Sequence, residues 1–176
     1  TVTVTDTSGV SASALTALDL KTTVPINAEP IASISGTASD VKALIYSSGI
    51  STQSNLQVVL VDASENSASD ISAISSVKNS IDASQLSSIS GSRAFVQEVL
   101  SDSAVSGLSS VNVSLTEGNG TVPGTVTVAE VNNIAALTSG IVEASISAGA
   151  TSALAGLTET GNAYTVTVTD TSGVSA

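Results

Sequence analysis

The chain has 176 residues, 41% hydrophobic and 11% charged, and its fifteen acidic side chains against four basic ones give a formal net charge of −11. An acidic surface without a cluster of cations disfavours nucleic acid and anionic membranes as partners, and the absence of cysteine excludes disulfides and thiolate metal sites. With no histidine either, the common catalytic triads and dyads are impossible, so no enzymatic activity is expected.

The core must be built without bulk. Aromatic residues are limited to Tyr46, Phe95 and Tyr164, and there is no Trp or Met. Roughly a third of the residues are Ser or Thr, well above ordinary usage. Val, Ile, Leu and Ala then suit a thin, regular, layered interior, into which Tyr46 and Phe95 are expected to pack. No apolar run reaches the length of a membrane span.

In chain order, Val2 and Val4 alternate with Thr1, Thr3 and Thr5, which predicts a strand with one buried face. Ala14, Leu15 and Leu18 then fall at helical spacing behind capping Ser residues. Pro25 in Val24-Pro25-Ile26-Asn27-Ala28 marks a short extended piece. After Gly36, Thr37 and Asp40 stand at capping-box spacing ahead of Val41, Leu44 and Ile45, with Gly49 placed to end that helix. Residues 70–78 and 95–100 also read as helical.

The strongest signal is repetition. Residues 1–12 read TVTVTDTSGVSA and residues 165–176 read the same, a period of 164. Within it, an alternating segment ending in an acid recurs as Val2, Val4, Asp6, then Val58, Leu60, Asp62, then Val113, Leu115, Glu117, then Val166, Val168, Asp170. The expected organisation is one full tandem repeat over 1–164, sub-repeats of about 1–56, 57–111 and 112–164, and the start of the next repeat at 165–176. Ile26-Asn27-Ala28 matches Ile81-Asp82-Ala83, whereas Gly118-Asn119-Gly120 and Pro123-Gly124 add a loop to the third sub-repeat.

Each sub-repeat holds two strand-plus-helix coils of about 27 residues, in the range of repeat solenoids. The expected fold is therefore α/β, a repetitive solenoid with a parallel sheet, in which each coil covers the apolar stripe of the one before. A β-sandwich stalk domain is the alternative. It requires about seven evenly spaced alternating strands, more than the sequence supplies.

The strings VTVTDTSGVSASALTALDLKTT, INAEPIASISGTASDVKALI and VVLVDASENSASDISAI resemble the repeats of giant bacterial cell-surface and extracellular proteins of adhesin or matrix type, including cyanobacterial ones. The resemblance implies a cell-surface or secreted role and carries no catalytic residues. The expected function is a structural repeat unit of an extracellular filament, stalk or adhesin shaft, whose partners are neighbouring copies in a homopolymer or tandem array. A carbohydrate- or protein-binding surface module is the alternative.

Asp62 and Glu65, in Asp62-Ala63-Ser64-Glu65-Asn66, are the candidate metal ligands, and calcium is the cation that such oxygen donors would take. Helix capping and turn bonds are the competing use of these acids. No other cofactor is expected. Asn112-Val113-Ser114 and Asn119-Gly120-Thr121 fit the glycosylation pattern, Lys21 and Lys78 read as solvated, and the threonines at 1, 3, 5 and 7 read as a polar strand face.

Overall fold

The computed structural model describes residues 1–64, 66–116 and 124–171. The chain opens with β1 (Val2–Thr3), β2 (Val10–Ser11) and α1 (Ala12–Asp19), followed by β3 (Ile26–Asn27), β4 (Ser33–Gly36) and α2 (Ala38–Ile45). Next come β5 (Ile50–Ser51), β6 (Gln57–Leu60) and α3 (Ala68–Ser75), then β7 (Ile81–Asp82), β8 (Ser88–Gly91) and α4 (Arg93–Ser101). β9 (Val105–Ser106), β10 (Asn112–Leu115) and α5 (Val128–Ala135) precede β11 (Val142–Ser145), α6 (Thr151–Leu154) and β12 (Ala163–Thr165).

The fold is α/β, with three parallel sheets and six helices among the described residues. Every pairing between these strands is parallel, so the antiparallel sheets of a sandwich are not the arrangement adopted. The first sheet runs β1-β3-β5, the second β2-β4-β6-β7-β9, and the third β8-β10-β11-β12. Register is tight. Val2 pairs with Ile26 and Ile26 with Ile50, each step 24 residues, and Val10, Ile34 and Val58 repeat that step in the second sheet.

β6 is bonded on both edges. Gln57 and Val61 donate their amides to Ala32 and Gly36 beside β4, each at 3.0 Å, whereas the Val58 amide turns the other way to Ser80, at 2.9 Å, beside β7. β10 repeats the pattern: the Asn112 and Thr116 amides reach Ser87 and Gly91 at 3.1 and 2.9 Å, and the Val113 amide reaches Ile141 at 2.8 Å. The sheets are consequently staggered. While β5 ends the first sheet, its neighbour β6 continues the second, and just beyond it Ser67 bridges Ser90 of β8 and extends the third sheet to five members.

Alternation decides which side chains go inside. Val58 and Leu60 are buried and Gln57 between successive layers is exposed, as a strand with one core face requires. Ile34 and Ile81 stack with Val58 in the second sheet, Ile26 stands in the first, and Ile89, Val113 and Val142 stack in the third. All join one hydrophobic cluster with Leu15, Val41, Leu44, Ile71, Ile74, Val96, Val131 and Ile134 from the helices. The helices follow in close succession, α1 on α2, α2 on α3, α3 on α4 and α4 on α5. Small residues let strand ends approach helix starts: a Cβ on Gly36 of β4 would lie 3.0 Å from the Ala12 methyl of α1, and one on Gly91 of β8 3.1 Å from that of Ala68 of α3.

The caps behave as the sequence indicates at α2, where the Thr37 hydroxyl accepts the Asp40 amide at 3.1 Å. Gly49 does not end this helix, which stops at Ile45 with Tyr46 at its C-cap. Gly49 lies instead against the Asp19 carboxylate, which accepts the Ser47 hydroxyl at 2.8 Å. Tyr46 and Phe95 are exposed, contrary to their expected place in the core. Neither lies on a strand: Phe95 is on α4, whose inward positions are taken by Val96 and Val99, and the Tyr46 hydroxyl donates to the Ala73 carbonyl at 3.1 Å from the C-cap of α2.

Gly107 and Gly9 both hold positive φ, at +90° and +66°, but only Gly107 sits against backbone, at Ser84. Gly107→Ala is expected to cost about 2–4 kcal/mol, strain and overpacking together. Gly9→Ala meets nothing within 4 Å and is expected to cost about 1–2 kcal/mol from conformation alone. Urea unfolding of the two variants measures the difference.

Candidate functional site

After β6 the chain reaches α3 through residues 61–67, and the acidic cluster singled out for metal binding begins there. Asp62 Oδ2 accepts the Ser87 hydroxyl at 2.6 Å, while Oδ1 accepts the Ser87 amide at 3.2 Å and Asn66 Nδ2 at 2.7 Å. Asn66 is buried, and its Nδ2 also donates to the Ser88 carbonyl at 2.9 Å, while its backbone carbonyl accepts the Ser90 amide at 2.9 Å. These donors hold the Asp62 pKa below the usual carboxylate range, the Ser87 hydroxyl most, then the Ser87 amide and Asn66. Asp62 thus latches its loop onto the residues leading into β8. Its second candidate partner, Glu65, lies outside the described residues. Among those described, no three His, Cys, Asp or Glu side chains gather at one point.

Other acids are used similarly. Asp170 Oδ2 accepts both the amide and the hydroxyl of Thr151, each at 2.6 Å, at the start of α6, and these bonds lower its pKa. Asn27 and Asp82, at matching positions, accept the amides of Glu29 and Ser84 at 3.0 and 2.9 Å in local turns. Glu130 completes a capping box with Thr127, whose amide is the chief cause of its lowered pKa. It also meets Arg93 Nε at 3.2 Å, joining α4 to α5, as Lys42 and Asp70 join α2 to α3 at 2.7 Å. Both pairs are partly exposed and screened by solvent, so each contributes little to stability.

Lys78 departs from its expected solvated state. It is buried, and Nζ donates to Thr52 Oγ1 at 3.1 Å and to the Gln53 carbonyl at 2.8 Å, while burial lowers its pKa. The side chain ties the end of α3 to the loop of the preceding layer, a long-range role that the sequence does not signal. Lys21 is exposed.

The remaining surface features are shallow. Ser67, Ser69, Ser90, Ser92 and Thr116 line a cleft beside Phe95. Asn112, in the first glycosylation pattern, accepts the Ile141 amide on its Oδ1 at 2.8 Å, and the second pattern, at Asn119, lies outside the described residues. Thr1, Thr3, Thr5 and Thr7 are exposed.

The pH dependence of the Asp62 latch follows from its sign. A carboxylate whose folded pKa is depressed stabilises the fold above its unfolded pKa, near 3.8, and loses that contribution as pH falls through the folded value. The stability gap between the native chain and Asp62→Asn is therefore expected to be constant near neutral pH and to close below 3.8, as read by urea unfolding at each pH. Comparison of the chain with protein-family models, curated proteins and solved structures finds no match.

Proposed function

We propose that this chain is a structural repeat unit of an extracellular bacterial filament, stalk or adhesin shaft, and that its layers form a solenoid extended by further copies. The observation that carries the reading is β6, which opens the second sub-repeat and pairs with β4 of the first on one edge and with β7 of its own on the other. A closed domain ends its sheet where its core ends; here the sheet passes from residues 1–56 into residues 57–111 without a seam. The core passes with it, as one cluster reaching from Ala12 to Ile146. The Ser/Thr-rich acidic exterior keeps such an array soluble by mutual repulsion, and its carboxylates and hydroxyls fasten neighbouring layers.

A specific observation favours the second reading, a carbohydrate-binding module. Phe95 is exposed beside a hydroxyl-lined cleft, a pairing of apolar platform and polar rim that sugars exploit. Glycan-array binding that disappears in Phe95→Ala would support it.

The structural reading is tested by electron microscopy of a chain carrying several units in tandem. Six layers spaced by about 4.8 Å give an axial repeat of about 29 Å per 164 residues. Unbranched rods lengthening by that increment are expected, and separate beads joined by thin connections would overturn the reading.

A further inference from the structure

The first sheet has three strands, the second five, and the third five once Ser67 is included. A fourth begins where Val126 bridges Ile146, and Gly149 then bridges Val168. It has the members that the first sheet lacks. We propose that the first sheet is the downstream part of a five-stranded sheet whose two upstream members come from a preceding copy of this unit, through residues equivalent to Val126 and to Ile146 and Gly149. The strand that joins the copies is the one present here twice, as residues 1–4 and 165–168. The proposal rests on the reading of the chain as a repeating structural unit and specifies how one unit meets the next.

Backbone direction provides the evidence. In the first appearance of this strand, the Val2 and Val4 amides donate to Pro25 and Asn27 of the following layer at 2.9 and 3.0 Å. In its second appearance, the Thr165 and Thr167 carbonyls accept the amides of Ile146 and Gly149 from the preceding layer at 2.8 and 3.1 Å, and the Thr169 amide reaches Gly149 at 3.0 Å. Thr165, Thr167 and Thr169 are equivalent to Thr1, Thr3 and Thr5. One sequence therefore uses its odd positions backward and its even positions forward, and the two half-bonded appearances overlay as one strand paired on both edges.

That complete strand already exists twice inside the molecule. Gln57 and Val61 of the β6 segment, and Asn112 and Thr116 of the β10 segment, face backward, while Val58 and Val113 face forward. The parity is that required of the joining strand.

Burial agrees. Val58 and Leu60 are 0% exposed, whereas their equivalents Val166 and Val168 are 43% and 49% exposed. At the opposite end, Leu18 of α1 is 39% exposed and its equivalent Ile74 of α3, which has α2 packed before it, is 0% exposed. Each end thus leaves uncovered the apolar positions that the next layer covers within the molecule. Asp6 acquires a partner as well: its equivalent Asp170 holds the amide and hydroxyl of Thr151, so Asp6 would fasten the preceding copy's α6.

Hydrogen exchange on a single unit and on a chain carrying two units in tandem tests the joint. The Val166 and Val168 amides are expected to exchange rapidly in the single unit and at least about 100-fold more slowly at the joint of the tandem chain. Equal rates in both chains would overturn the proposal. Val166→Pro gives an independent readout, because proline is tolerated where the amide of an edge strand faces solvent. It should leave the melting temperature of the single unit unchanged and lower that of the tandem chain; an equal effect on both would again overturn it. Rods by microscopy with no protection at Val166 would discard this register and keep the structural role, whereas compact closed particles would discard the structural role itself.

Discussion

The parallel backbone ladder is the constraint from which the other features follow. Two strands of a parallel pair must be joined by a crossover, and here the crossover returns after 24 residues at Val2, Ile26 and Ile50 and again at Val10, Ile34 and Val58, after 23 at Ile81 and after 29 between Val113 and Val142. Each return stacks an apolar residue on one of the strand before it. Side chains inside the columns then repeat at about 4.8 Å, and Ile, Val and Leu fill them. The same spacing brings each helix start close to the next strand, so Ala12 and Ala68 face Gly36 and Gly91.

Polar groups are fitted around this frame rather than assembled into a centre. Asp62 binds Ser87, Lys78 binds Thr52 and Gln53, Thr138 Oγ1 donates to the Val111 carbonyl, and Tyr46 donates to the Ala73 carbonyl. Each of these contacts spans more than twenty residues of sequence, about one turn of chain. They satisfy backbone carbonyls and side chains that the sheets do not reach; of these side chains Lys78 and Thr138 are buried, where an unsatisfied polar group costs about 1–3 kcal/mol.

Much of the frame was legible in the sequence because periodicity is local information. Alternation at Val2 and Val4, the Thr37 cap, the helical spacing of Val41 and Leu44 and the match of Ile26 with Ile81 all reflect backbone geometry within a few residues. What could not be read depends on a neighbour in the stack. Lys78 gives no sign in its own segment that Thr52 and Gln53 will receive it. Phe95 looks like a core residue by spacing, yet Val96 and Val99 take the inward face of α4 and leave the ring exposed. Asp62 was legible as a special acid, but the donors that occupy it come from Ser87, one turn on, and nothing near Asp62 in sequence names them.

The staggered sheets also determine how such a molecule responds to force or heat. If all strands of one column ended at the same layer, that layer would be a seam, and the stack would part there. Here the end of one sheet lies beside a strand that continues the next, as β5 lies beside β6 and β9 beside β10. A break across the β6 layer must open the ladder to β4 or to β7 while the α2 and α3 contacts still bridge it. Nearest-neighbour coupling is therefore distributed over strands and helices that change partners at different levels. Segments 1–56 and 57–111 are consequently coupled: unfolding the first strips one edge of β6, and unfolding the second, which carries β6 away, strips one edge of β4.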